Sequence, residues 1–303
     1  METVKEKSKE ILQQQIKDLK EQLDSANSMF EMTTNYMNQM QQDLMESESN
    51  LKKANKHLTD SINYARHIQK AFITGNESLQ QIIPQSFLFF RPKDILSGDF
   101  LWVQQEGADI TVAVGDCTGH GVPGAMLTVY MISTLNQIYS EVGNDPALIL
   151  KKLDEHASGS LNNDKTGVAD SAEIALINYN IETGRLVFAG ANRPLIRVRN
   201  GEAKKIKGSR YILGRQIRRK EDIVNQEVVV EPDDMVYLFS DGFVDQFGGP
   251  EKRKYSTKRL KSLLENVSKS SLNNQFRMIS AEYDQWMGEN QQTDDTIIMG
   301  LRI

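Results

Sequence analysis

The spacing of apolar positions changes once along the chain, and the change divides it. From Ile16, steps of three and four residues alternate through Leu19, Leu23, Ala26, Phe30, Thr33, Met37, Met40, Leu44, Ser47, Leu51, Ala54 and Leu58. A seven-residue repeat held for about six heptads predicts a coiled coil. A lone helix of ~45 residues would have no surface of its own on which to bury that stripe. Thr33 and Ser47 weaken the seam, and a two-stranded homodimer is the simplest assembly. After Leu58 the phase slips to Ile62, Ala65, Ile68 and Phe72. Such a slip changes the supercoil locally and marks a hinge. Gly75, the first glycine, predicts a helix end near residues 74–76.

From about residue 85 the pattern shortens. Strand-like runs cover 87–90, 100–103, 110–114, 174–179, 186–189, 195–199, 225–230, 235–239 and 296–303, and helical runs cover 125–142, 147–160, 257–268 and 272–287. Turn signals such as Glu182-Thr183-Gly184 and Asn200-Gly201 separate neighbouring strands, as antiparallel hairpins require. The expectation is an α+β fold: a helix-flanked antiparallel β-sandwich preceded by a long coiled-coil helix. Its segments are a coiled-coil dimerisation and regulatory helix at 1–60, a linker or switch helix at 61–80, and a globular domain at 81–303.

Composition narrows the partners. The formal charge of −5 argues against nucleic acid, because no basic surplus is available to neutralise phosphates. Cys117 is the only cysteine, so no intrachain disulfide forms, in keeping with a reducing compartment. The opening Met-Glu-Thr-Val-Lys-Glu-Lys lacks the apolar core of a secretory leader. No run approaches the ~20 apolar residues that would insert in a membrane. A cytoplasmic protein is expected.

Four short acidic segments carry the candidate chemistry: Ser97-Gly98-Asp99-Phe100, Gly115-Asp116-Cys117-Thr118-Gly119-His120-Gly121, Ser240-Asp241-Gly242 and Thr293-Asp294-Asp295-Thr296. Any one Asp-Gly is more often a turn than a ligand. Apolar strands, however, lead into Asp116 and Asp241 and out of Asp295. Carboxylates gathered at strand ends beside small residues make a hard-cation site, and oxygen-only ligands suit Mg²⁺ or Mn²⁺ better than zinc. Metal-assisted hydrolysis is the chemistry this predicts.

The chain from about residue 61 onward resembles the SpoIIE-like bacterial branch of the protein phosphatase 2C (PPM) class. The similarity rests on Arg91-Pro92-Lys93-Asp94-Ile95-Leu96-Ser97-Gly98-Asp99-Phe100, on Gly115 through Ala125, on Gly190-Ala191-Asn192-Arg193-Pro194-Leu195, on Phe239-Ser240-Asp241-Gly242, on Asp245-Gln246-Phe247-Gly248-Gly249, and on Gln292-Thr293-Asp294-Asp295-Thr296. It implies a β-sandwich phosphatase in which two Mn²⁺ or Mg²⁺ ions activate water against phosphoserine or phosphothreonine. By that resemblance Asp116 bridges the metals and the carbonyl of Cys117 completes one coordination sphere. Asp241 and Asp294 serve the other ion, and Asp99 is an outer acid. A one-residue shift would exchange Asp294 with Asp295. The implied substrate is a phosphorylated protein such as a STAS-domain anti-sigma-factor antagonist, with an upstream sensor acting on the coil.

This chain departs from the family at two places. Asp170-Ser171-Ala172-Glu173 stands where relatives carry an Asp-Gly-Met-Asp-like run, and the phosphate-binding arginine of eukaryotic members has no clear counterpart. A catalytically weak or inactive phosphatase-like scaffold is therefore the rival reading, and a small phosphoester is an alternative substrate. His120, on a Gly-flanked loop, reads as peripheral. Cys117 lacks a paired base and does not read as a nucleophile. Asn192 and Arg193 belong to the site mouth or merely to a turn, and Trp102 and Trp286 to packing.

Overall fold

The computed structural model describes residues 2–160, 170–214 and 222–303. Helix α1 (Glu2–Phe72) contains neither Pro nor Gly and runs unbroken for 71 residues. It is followed by α2 (Asn76–Ile82), β1 (Ser86–Arg91), β2 (Asp99–Glu106), β3 (Asp109–Cys117), α3 (Gly121–Val142) and α4 (Pro146–Ser160). Next come β4 (Ala172–Asn180), β5 (Leu186–Ala191), β6 (Leu195–Arg199), β7 (Glu202–Ile206), β8 (Gln226–Val228) and β9 (Met235–Phe239). The chain closes with α5 (Gly242–Asp245), β10 (Phe247–Gly248), β11 (Arg253–Lys254), α6 (Thr257–Val267), α7 (Leu272–Met287) and β12 (Thr296–Arg302). It divides into two compact units, Met1–Ser61 and Ile62–Ile303.

In the first unit every residue from 7 to 61 is exposed. The heptad positions are no exception: Leu23 is 59% exposed and Phe30 is 73% exposed. Local propensity builds this helix, and nothing within the unit covers its apolar stripe.

The second unit stacks two five-stranded sheets, in the orders β1-β12-β9-β6-β7 and β2-β3-β4-β5-β8. All of their strand pairs are antiparallel. Strand alternation sorts the side chains into layers. Val112 and Val114 of β3 face inward with Leu101, Ile177, Val236 and Met299 to fill the space between sheets. Ala113 and Cys117 face outward, against Met131 and Leu135 of α3 and Leu150 of α4. On the far side, Phe89 and Tyr237 pack on Leu264 of α6 and Ile279 of α7. Each such buried side chain contributes about 1.5–3 kcal/mol. The result is a four-layer α/β/β/α sandwich, as the period change predicted.

Several elements escaped the apolar pattern. β7 is a polar edge strand, and β10 and β11 pair over only two residues. Helix α3 starts at Gly121 rather than near 125, because Pro123 falls in its first turn, where no N–H is needed. The tail of α1 also differs in phase. Ile62, Ala65 and Gln69 turn inward, while Ile68 and Phe72 remain 43% and 39% exposed. None of the described helices is long and apolar enough to cross a membrane.

Candidate active site

One end of the sandwich collects the acids. Asp99 at the start of β2, Asp116 at the end of β3 and Glu173 at the start of β4 lie in register across three neighbouring strands. From the opposite sheet, β9 ends just before Ser240-Asp241, and Asp294-Asp295 lead into β12. Two glycines let these backbones meet. A Cβ on Gly242 would stand 1.9 Å from the Asp295 carbonyl oxygen, and one on Gly98 would stand 2.7 Å from that of Gly119. Only Gly permits such approach. Thr118 latches the β3–α3 turn, its Oγ1 donating to the Ser171 carbonyl at 2.6 Å and accepting the Ser171 N–H at 2.8 Å.

Asp116, Glu173, Asp241 and Asp294 line one cavity of about 210 Å³, with Arg193 among them and His120 at its rim. The Arg193 side chain is 8% exposed. Its guanidinium bonds Asp116, lies 2.9 Å from Asp241 Oδ2, and sets Nε 3.1 Å from Glu173 Oε2. The Glu173 contact is an ion pair without hydrogen-bond alignment, since Nε has no hydrogen-bond partner. Asn192 also holds Glu173, donating Nδ2–H to Oε1 at 2.7 Å.

The charges do not balance: one guanidinium faces four carboxylates. Burial pushes Asp116 well above the usual carboxylate range; Arg193 opposes the shift and Asp241 adds to it. Burial alone would lower Arg193, but Asp116 and Asp241 outweigh it and raise it instead.

The predicted residues separate into two groups. Asp116, Asp241, Asp294 and Cys117 share the cavity. Asp99 does not line it; the residue is 2% exposed behind Asp116 and accepts Ser240 Oγ–H at 2.6 Å. Its carboxyl is raised first by burial and then by the Asp116 charge. Asp295 is also turned away. It accepts the backbone N–H groups of Lys93 and Gly98, each at 2.7 Å, and those bonds oppose the rise that burial causes. The Cys117 thiol is buried and pushed up by that burial, as befits a packed side chain. His120 pairs with Asp94 at 2.7 Å on the rim.

Arg193 is the residue whose place the sequence left open. The only signal was a basic side chain in the Gly-Ala-Asn-Arg-Pro turn between two strands.

Whether divalent cations fit is a matter of donors and charge. Among the described residues no three His, Cys, Asp or Glu form a ready metal cage. The cavity nevertheless offers carboxylate oxygens, the ligands hard cations prefer, and carries a negative surplus that one arginine cannot cancel. The residues fit Mg²⁺ or Mn²⁺.

A four-layer sandwich with an acidic cavity at the strand ends defines a PP2C-type protein phosphatase domain. The chain belongs to the SpoIIE family: the family described as Stage II sporulation protein E (SpoIIE) matches residues 106–303. Among solved structures, the SiaA PP2C domain of Pseudomonas aeruginosa is similar at 30% identity and TM-score 0.76, over 82% of this chain and 98% of that one. The phosphatase domain and regulatory fragment of SpoIIE from Bacillus subtilis match at 18% identity and TM-score 0.60, over 72% of this chain and 63% of that one. The RsbU and RsbW domains of a Mycobacterium tuberculosis protein match at 17% and 0.57, over 72% and 59%. The last two likenesses speak for the fold alone. No curated protein matches the chain.

Proposed function

We propose that this chain is a metal-dependent protein serine/threonine phosphatase. The observation that carries the reading is the convergence of Asp116, Asp241 and Asp294, from three distant segments, on one cavity. Asp116, Asp241 and Asp294, with the Cys117 carbonyl, would hold two Mn²⁺ or Mg²⁺ ions. Asp99 lies next to Asp116 in the strand register, buried and held by Ser240. When bound, the ions supply an activated water and charge to neutralise phosphoryl oxygens. The side chains do the rest. Arg193, among the acids, offers N–H groups for a phosphoryl oxygen, and Asn192 and Glu173 fix its orientation. No side-chain nucleophile is needed, in keeping with the packed Cys117 thiol.

Mn²⁺-dependent phosphate release from a phosphoserine peptide tests this. Activity that requires metal and vanishes in Asp116→Ala and Asp241→Ala is expected. A folded protein inactive with either metal would instead favour the catalytically weak scaffold.

The exposed heptad stripe supports a homodimeric coiled coil, and the family supports a phosphorylated STAS-type regulator as substrate, in the cytoplasm, under an upstream sensor. The 61–80 segment would pass a change in coil register to the site, a helix-shift device. Gln69 supports that route: it donates to the Ser97 carbonyl at 2.5 Å and accepts the Ser97 N–H at 3.2 Å, two residues from Asp99. Removing residues 1–60 should alter activity or metal requirement; unchanged kinetics would sink the switch.

A further inference from the structure

The turn that presents Arg193 has a second side. Asn192 and Pro194, its immediate neighbours, line a separate cleft of about 410 Å³ together with Lys205, Lys207, Gly208 and Arg210. The two clefts are thus one residue apart along the chain, about 3.8 Å between successive Cα atoms. They are also rigidly joined. Asn192 N–H donates to the Ser209 carbonyl and Ser209 N–H to the Gly190 carbonyl, both at 2.8 Å. Gly208 packs so tightly that a Cβ would stand 2.4 Å from the Arg193 carbonyl oxygen. Backbone hydrogen bonds and close packing thus tie the base of the basic wall to the Arg193 turn.

The lysines lack internal partners. Neither Lys205 nor Lys207 has an ion pair or side-chain hydrogen bond among the described residues. Burial and the neighbouring Lys207 charge push Lys205 below the ordinary lysine range. Like charges held together in a concavity stabilise nothing by themselves. Lysines on an edge strand such as β7 also guard against sheet-to-sheet association. That role asks only for exposure along the strand edge, not for a cleft whose other wall is the Asn192–Pro194 turn.

We infer that this cleft is a docking subsite for acidic side chains flanking the phosphorylated residue of a protein substrate. The inference rests on the phosphatase reading of the neighbouring cavity. A phosphoryl group beside Arg193 leaves the adjoining substrate residues over Asn192 and Pro194, where carboxylates would meet Lys205 and Lys207.

The test uses the full chain and two fluorescein-labelled phosphoserine peptides, one with Asp and Glu around the phosphoserine and one with Gln and Ala. Binding is read by fluorescence polarisation. The wild type should prefer the acidic peptide by about tenfold, the preference should shrink with salt, and Lys205→Glu/Lys207→Glu should abolish it while sparing the neutral peptide. Circular dichroism and turnover of p-nitrophenyl phosphate check that the variant is intact, and Lys205→Ala/Lys207→Ala replaces it if it does not fold. Equal binding of the two peptides by wild type, or a preference that survives in the folded variant, overturns the inference. Selective binding by a wild type that hydrolyses neither ester nor peptide would uphold the cleft and sink the phosphatase reading.

Discussion

The acidic end of the sandwich contains two kinds of aspartate, and they differ in what faces the carboxylate. Asp116, Asp241 and Asp294 look into a cavity, where Arg193 pairs with the first two and, among the described residues, only the Asp295 N–H donates to the third. Asp99 and Asp295 look into the protein, where their partners are a serine hydroxyl and two backbone N–H groups. Asp294 and Asp295 are chain neighbours, yet the first is exposed and the second 3% exposed. Residue type thus says little about role. A carboxylate saturated by backbone donors holds a loop in place, whereas one left facing its own kind is a charge waiting for a cation.

Four substitutions press on that division. The largest effect is expected from Asp116→Ala, with phosphatase turnover falling about 10³-fold, a barrier increase of about 4 kcal/mol. Its metal-free melting temperature should hold or rise, since a crowded negative charge is lost. A drop in stability as large as the drop in rate would blur the two classes. Asp295→Ala should do the reverse, stranding the Lys93 and Gly98 N–H groups at a cost of about 2–4 kcal/mol in urea unfolding. Arg193→Met tests the cavity from its positive side. The metal-free protein should lose about 2–3 kcal/mol, after allowing for the partial exposure of Asp241, and Mn²⁺ should restore much of the lost melting temperature. Ser240→Ala should cost only about 1 kcal/mol. A loss no larger than that, with activity reduced, would mark Ser240 as a positioning residue for Asp99.

Much of this was legible in the sequence because its signals are local. The strands announce themselves as short apolar runs, and the acids sit at their ends, so the sandwich and the identities Asp116, Asp241 and Asp294 follow from pattern and resemblance. The division between Asp294 and Asp295 did not follow, because it depends on backbone N–H groups at Lys93 and Gly98, some two hundred residues away. Arg193 was obscured for a similar reason. Its significance comes from Asp116, Asp241 and Glu173, none of them near it in sequence. β7 escaped because Glu-Ala-Lys-Lys-Ile offers little apolar alternation, as an edge strand allows.

The pairing of β1 with β12 carries a consequence for biosynthesis. Phe87 aligns with Gly300, so the β1-β12-β9-β6-β7 sheet closes a loop of more than two hundred residues. Such long-range pairing is slow to form, and β12 also lies between β1 and β9. Until β12 has left the ribosome, β1 and β9 each have an open hydrogen-bonding edge, and Asp116 and Asp241 have no Asp294 beside them. Closure of this sheet therefore waits on β12, and Asp294 joins the other acids only when that strand pairs.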